Sequence, residues 1–308
     1  MDYKSDLLDS EIIGEDSEYN DLFGEAGILS DHQEHVRKFI DLLWSNYKHL
    51  ADLKFRTQIR SKFHSCYFEM YLANCLLANK AYTLSSSDFG PDIFIKELDT
   101  WIECVSATNG DPNNPDSVPE DICYDPNDSS TWKAEDVPDK KIILRYTNSF
   151  FEKQKKIVGY INSGQIKRDQ PVIIAISGAK VSSARTEQGY PRILGALFPI
   201  GDRYITYDKN TMEVVKEGIR YSDAIKKNNE SLVDKLAFAS AKYDFITGVI
   251  FSLHDVWNHE CLSKLGADLI YIPNPFAKNL LPANFLGVGR YCEICFQENE
   301  FEIITHTC

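Results

Sequence analysis

No apolar stretch in the chain approaches the roughly 18–20 residues of a membrane span, and the opening Met1-Asp2-Tyr3-Lys4-Ser5-Asp6 is acidic where a secretory leader is basic and then apolar. A Gly-x-x-x-x-Gly-Lys-Ser/Thr loop is missing, which argues against NTP hydrolysis. So is a Gly-x-Ser-x-Gly elbow, which argues against a serine hydrolase. Gly287-Val288-Gly289 is too short for a dinucleotide fingerprint and no helix signal follows it. No internal repeat is visible. The eight cysteines are scattered, and Cys66, Cys75 and Cys104 fall inside apolar patterns, where a free thiol acts as a small hydrophobe. These features predict a reduced, cytoplasmic protein with no membrane partner.

What is present is a 308-residue chain that is 43% hydrophobic and 12% aromatic, enough for a substantial core. Its net charge of −13 looks hostile to nucleic acid but is unevenly placed. Residues 1–34 carry −10 and residues 109–141 carry −6, which leaves +3 for the remainder and makes phosphate binding admissible. Residues 1–29 read as an acidic, disordered tail. Such a tail is a solvated segment, a docking segment for a protein partner, or a flap over the chain's own positive groove.

Residues 30–308 read as one α/β domain. Ser30-Asp31-His32-Gln33 has the capping-box pattern, followed by Val36, Phe39, Ile40, Leu43, Tyr47 and Leu50 at helical spacing. A second helix is expected over about 53–79, with Phe55, Ile59, Phe63, Cys66, Met70, Ala73 and Leu77 inward. A strand near Ala81–Leu84, a hairpin over 91–106 and an acidic insertion loop over 109–141 come next; that loop holds five of the twelve prolines. A helix over Ile142–Ile161 leads to Pro171-Val-Ile-Ile-Ala-Ile-Ser177, a continuous apolar run typical of a buried central strand. The elaboration over about 190–308 mixes strands (Arg203–Tyr207, Phe245–Ser252, Leu269–Ile272, Arg290–Phe296, Phe301–Thr305) with a helix around Ser231–Lys242.

Three acids stand out because they lie in apolar surroundings, where a carboxylate is costly unless paired or bound to metal. Glu69 borders the inward stripe of the second helix. Asp92 follows Gly90-Pro91 and opens Ile93-Phe94-Ile95, and Glu103 lies inside Trp101-Ile102-Glu103-Cys104-Val105. If the turn centres between Glu97 and Leu98, residue numbers on the facing strands sum to 195, and Asp92 opposes Glu103 with Cβ atoms roughly 4.5–5.5 Å apart. Like charges that close call for a cation, and Mg²⁺ (or Mn²⁺) is the ion commonly held by one or two carboxylates plus a substrate phosphate. Glu69, Asp92 and Glu103 are therefore the expected metal ligands.

The order acidic helix, strand, Pro91-Asp92 strand, Ile102-Glu103 strand, helix, buried strand resembles the PD-(D/E)xK, or restriction-endonuclease-like, nuclease superfamily over about residues 65–177. The resemblance implies an αβββαβ core, a mixed central sheet flanked by helices, spanning about 53–177. It also implies metal-dependent cleavage of nucleic acid, DNA first. The superfamily pattern has Lys two residues after the second acid, where this chain has Val105. Lys153 and Lys156, three apart on the helix after the loop and in line with Tyr160, are expected to supply the missing cation, and Arg145 to hold a phosphate. If they do not, the chain is a catalytically inactive nuclease-fold module that binds nucleic acid or a protein partner.

Two further groups carry weaker signals. Cys292, Cys295, His306 and Cys308 are competent for zinc but place one pair on the last three residues, and are expected to be ordinary side chains. His254-Asp255-x-x-Asn258-His259 is expected to be structural, since further metal ligands are not apparent beside it.

Overall fold

The computed structural model describes residues 5–8, 13–23, 28–87, 90–121, 128, 136–187, 189–297 and 300–307. Two short pieces of the N-terminal segment are packed, not solvated. Leu7 and Leu8 are buried beside the helix α2 (Asp31–Tyr47), where Asp6 accepts from Trp44 Nε1 at 3.0 Å. Helix α1 (Ser17–Asp21) buries Tyr19 and its flanking Leu22. The expectation of a disordered tail is thus corrected for these residues: a few apolar side chains outweigh the acidic composition around them.

The capping box opens α2 as expected, Ser30 Oγ accepting from Gln33 N–H and Gln33 Oε1 accepting from Ser30 N–H. The expected 53–79 helix is broken into α3 (Phe55–Gln58) and α4 (Phe63–Lys80). Lys62 leaves the helical region, and the first N–H of α4, on Phe63, donates to the Asp16 carboxylate at 3.2 Å. That cap comes from 47 residues away, so no local pattern announces it. Helix α4 ends on Ala81 in the left-handed region and is buried on nearly every side.

Next come β1 (Leu84–Ser85), β2 (Ile93–Ile95), one 3-10 turn (Lys96–Leu98) and β3 (Thr100–Thr108). The described residues of the long loop before Asp139, 109–121 among them, contain no helix or strand, and part of the loop lies outside the described residues. The last three residues of the expected loop (139–141) already belong to the following helix. Helix α5 (Asp139–Asn162) crosses over to β4 (Val172–Lys180), which pairs parallel to β3. Then follow α6 (Arg192–Leu197), β5 (Ile200–Tyr207), β6 (Val214–Tyr221), β7 (Ala224–Lys226), β8 (Leu232–Asp234), β9 (Gly248–Ser252), α7 (Val256–His259), β10 (Ile270–Pro273), β11 (Arg290–Gln297) and β12 (Glu300–Thr307). The helix expected around Ser231–Lys242 is instead strand β8 paired with β7, and then a single 3-10 turn at Ala241–Tyr243.

One mixed eight-stranded sheet, in the order β1-β2-β3-β4-β9-β10-β11-β12, carries the fold. Its centre is parallel (β3, β4, β9), and both faces are covered, which is why β4 reads as an unbroken apolar run. Ile93, Ile95, Ile102, Cys104, Ile173 and Ala175 face the layer of α2 and α4. Trp101, Val105, Ile174 and Ile176 face the layer of α5 and α6. No helix among the described residues is long and apolar enough to cross a membrane.

Candidate functional site

The hairpin register settles which acids meet. Ile93 pairs with Ile102, Phe94 with Trp101 and Ile95 with Thr100, the register read from the turn. Extended by one residue past the last pair, the same register would set Asp92 opposite Glu103. Strand β2 is only three residues long while β3 runs on, so β3 would expose unpaired N–H groups beyond Ile93. The Asp92 carboxylate takes one of them, accepting from Cys104 N–H at 2.6 Å. Because strand side chains alternate, Glu103 shares the face of Trp101 and Val105, which is the α5 face, while Asp92, just before β2, turns its carboxylate to the β3 backbone at the sheet edge.

Helix α5 answers with two cations. Lys153 Nζ donates to Glu103 Oε1 at 2.8 Å and Lys156 Nζ to the same oxygen at 2.7 Å. Their spacing of three places them one turn apart, and the next residue in line, Tyr160, presents its ring 5.5 Å from the Lys156 ammonium. Glu103 is fully buried, Lys153 is 15% exposed and Lys156 46%. Glu103 Oε2 has no hydrogen-bond partner. Burial acts to lower the Lys156 pKa, but the Glu103 charge and hydrogen bond override it and raise the value. Burial, and then the Glu103 charge, push Asp92 up to about 6, although the Cys104 N–H and both lysines pull the other way.

Glu69 is not brought to the same point. Its helix packs on the opposite face of the sheet, and its carboxylate accepts from Tyr47 Oη. Burial first, and the charge of Asp92 second, push Glu69 up to about 8, so it feels the pair around the open end of β2. Among the described residues, Glu69, Asp92 and Glu103 do not form a trio of ligand atoms within 4.8 Å of one another. The three acids do not meet as one set at that distance, and the charge Glu69 feels most is that of Asp92, with Glu103 further down.

Arg145 is also apart. It lies eight residues before Lys153, about 12 Å along the helix, and its Nε donates to the Thr108 carbonyl at 2.7 Å. There it fastens the end of β3 to the start of α5.

The trio that does come within 4.8 Å is His254, His259 and Asp268. Asp268, just before β10, is the hub. It accepts from Tyr71 and Ser252 hydroxyls, and its Oδ2 lies 3.1 Å from His259 Nε2. The hub was missed in the sequence because Asp268 lies beyond α7, in a stretch with no motif. The cysteines Cys66, Cys75, Cys104, Cys261, Cys292 and Cys295 are all free. In the C-terminal hairpin Cys292 is buried beside Thr305, and Cys308 lies outside the described residues. No known protein family, curated protein or solved structure matches the chain.

Proposed function

We propose that the chain is a divalent-metal-dependent nuclease that hydrolyses phosphodiester bonds of nucleic acid, DNA first, on a restriction-endonuclease-like core. The single observation that carries this reading is the pair of α5 lysines on buried Glu103. They put cationic charge where Val105 leaves a gap, on the same face of the sheet. The element order supports it: helix α4, the antiparallel β1-β2-β3 meander, helix α5 and a parallel β4 follow the αβββαβ sequence.

The residues fit a hard divalent ion such as Mg²⁺ or Mn²⁺. Asp92 and Glu103 are adjacent in register, Glu103 keeps one buried oxygen without a partner, and burial and then the Glu103 charge raise the Asp92 carboxyl. Those two side chains would hold the ion, and the Asp92 charge in turn raises Glu69. Such an ion supplies positive charge against the scissile phosphate and acidifies the attacking water. The chain's own part is positional. Cys104 N–H fixes the Asp92 carboxylate, so the anionic pair does not reorganise during the reaction. Lys153, the more buried ammonium, stabilises the hydroxide character that develops on the attacking water. Lys156, half exposed, meets the phosphate backbone.

The test is incubation with plasmid, linear and single-stranded DNA, and with RNA, in Mg²⁺, Mn²⁺ or EDTA. Cleavage with either metal, none in EDTA and none by Asp92→Ala is the expected result. An Asp92→Ala variant that cuts as well as wild type would end the proposal.

One observation favours a second reading. Two ammonium groups on a single oxygen already compensate Glu103 without any ion, as a non-catalytic module binding nucleic acid or a protein would require. Binding without cleavage, in wild type and in Val105→Lys alike, would favour that module.

A further inference from the structure

We propose that His254, His259 and Asp268 form a binding site for a transition-metal ion of the Zn²⁺ class, separate from the Asp92–Glu103 pair. Two imidazoles and one carboxylate make a donor set suited to such ions, whereas hard ions such as Mg²⁺ prefer oxygen. In a tetrahedral site with ligands at about 2.0–2.1 Å, donor atoms stand about 3.3 Å apart. Here His259 Nε2 lies 3.1 Å and His254 Nδ1 4.0 Å from Asp268 Oδ2, and all three donors are within 4.8 Å of one another. Binding would draw His254 toward Asp268 to close the set.

The surroundings are those of a built site. His259 and Asp268 are fully buried side chains. The His254 Nδ1 atom is shielded from solvent, faces Asp268 and has no hydrogen-bond partner. An imidazole nitrogen buried without a partner is costly unless something occupies it. The outer hydrogen bonds that orient metal ligands are also in place. Tyr67 Oη lies 2.9 Å from His259 Nδ1 and orients the ring with Nε2 toward Asp268. Tyr71 and Ser252 hold the Asp268 carboxylate, and Tyr71 stacks on His259 with ring centroids 3.7 Å apart. Asp255 caps α7 and pairs with Arg185, fixing the turn that carries His254. His254 is 41% exposed, which gives the ion a path and leaves a fourth position open to water.

The experiment uses the full chain carrying Asp92→Ala, so that the carboxylate pair does not contribute, stripped with chelator and titrated with Zn²⁺ by calorimetry. One ion per chain is expected, with a thermal upshift on binding. Adding His254→Ala should weaken Zn²⁺ binding roughly 100-fold or more, and His254→Cys, which keeps a soft donor, should restore it. Because His254 is half exposed and lacks a hydrogen bond at Nδ1, neither change threatens the fold, and circular dichroism checks this. Co²⁺ should give the visible bands of a four-coordinate site, lost in His254→Ala. Failure of the His254-intact protein to take up Zn²⁺, or equal uptake by His254→Ala, would overturn the proposal. Cleavage plays no part in the readout, so failure of the nuclease reading leaves this test unaffected.

Discussion

Two polar clusters lie in the same molecule, and their hydrogen bonding differs in kind. At the β2-β3-α5 junction, charges are mismatched: burial and then the Glu103 charge raise Asp92, two lysines crowd one oxygen of Glu103, and the other oxygen has no partner. Around Asp268 the carboxylate is satisfied: two hydroxyls and an imidazole surround it, and burial's upward push is overcome by these bonds, leaving its pKa at about 2. Satisfied networks rigidify a core, whereas unsatisfied ones mark places where stability has been given up for chemistry. The first cluster should therefore tolerate neutralisation in stability and not in activity, and the second should show the reverse.

The largest effect is expected at Asp92. Asp92→Asn keeps an acceptor for Cys104 N–H and removes the repulsion with Glu103. It should lower metal-dependent cleavage by about 1,000-fold or more while leaving the melting temperature equal or higher. A variant that both cuts normally and melts lower would break the contrast.

Tyr71→Phe should do the opposite. It removes a donor to Asp268 and an acceptor for Gly266 N–H, both buried, and should cost about 1–3 kcal/mol in urea unfolding. Cleavage below the melting range should be little changed. Unaltered stability would show that the Asp268 network is not what holds β10 to α4.

A pH series sharpens the comparison further. Folded-state pKa values of Asp92 and Glu69 are raised, to about 6 and about 8, so the folded protein binds more protons than the unfolded chain between their ordinary values and these. Their contribution is thus fully present below about pH 4 and is lost as pH rises, through about 6 for Asp92 and about 8 for Glu69. In EDTA the melting temperature should fall over that window, and Glu69→Gln should flatten its upper part. A profile unchanged by Glu69→Gln would remove Glu69 from the coupled group.

The smallest effect concerns the N-terminal segment. Deleting it would strip out buried Leu7, Leu8, Tyr19 and Leu22, so its charge is better tested by Glu15→Gln with Asp21→Asn, both at exposed positions. Nucleic-acid binding should tighten modestly at low salt, and the gain should vanish as salt screens it. Weaker binding would mean these acids make productive contacts.

The candidate site was legible wherever short-range periodicity decides geometry. The turn position read between Ile93–Ile95 and Trp101–Val105 matches the observed register, and the spacing of three placed Lys153 and Lys156 on one helix face. What stayed hidden depends on distant partners. The start of α4 relies on Asp16, and the break before it is masked by apolar residues that continue at spacing four through Phe55, Ile59 and Phe63. Glu69 lies beside Tyr47 of α2, a placement that a linear pattern does not give because it does not say which layer a helix joins. The Asp268 hub joins α4, β9, α7 and the approach to β10, and although His254 and His259 lie close in sequence, nothing local ties them to Asp268, Tyr71 or Ser252.

The claim that α5 supplies the cation absent at Val105 is tested most directly by a rescue. Lys153→Met with Lys156→Met should lower the cleavage rate by about 100-fold or more while substrate affinity changes little, because charge acting on the transition state affects turnover. Val105 lies on the same face as Glu103, so adding Val105→Lys to the double variant should restore a measurable part of the rate. A double Met variant that cuts at the wild-type rate would contradict the account.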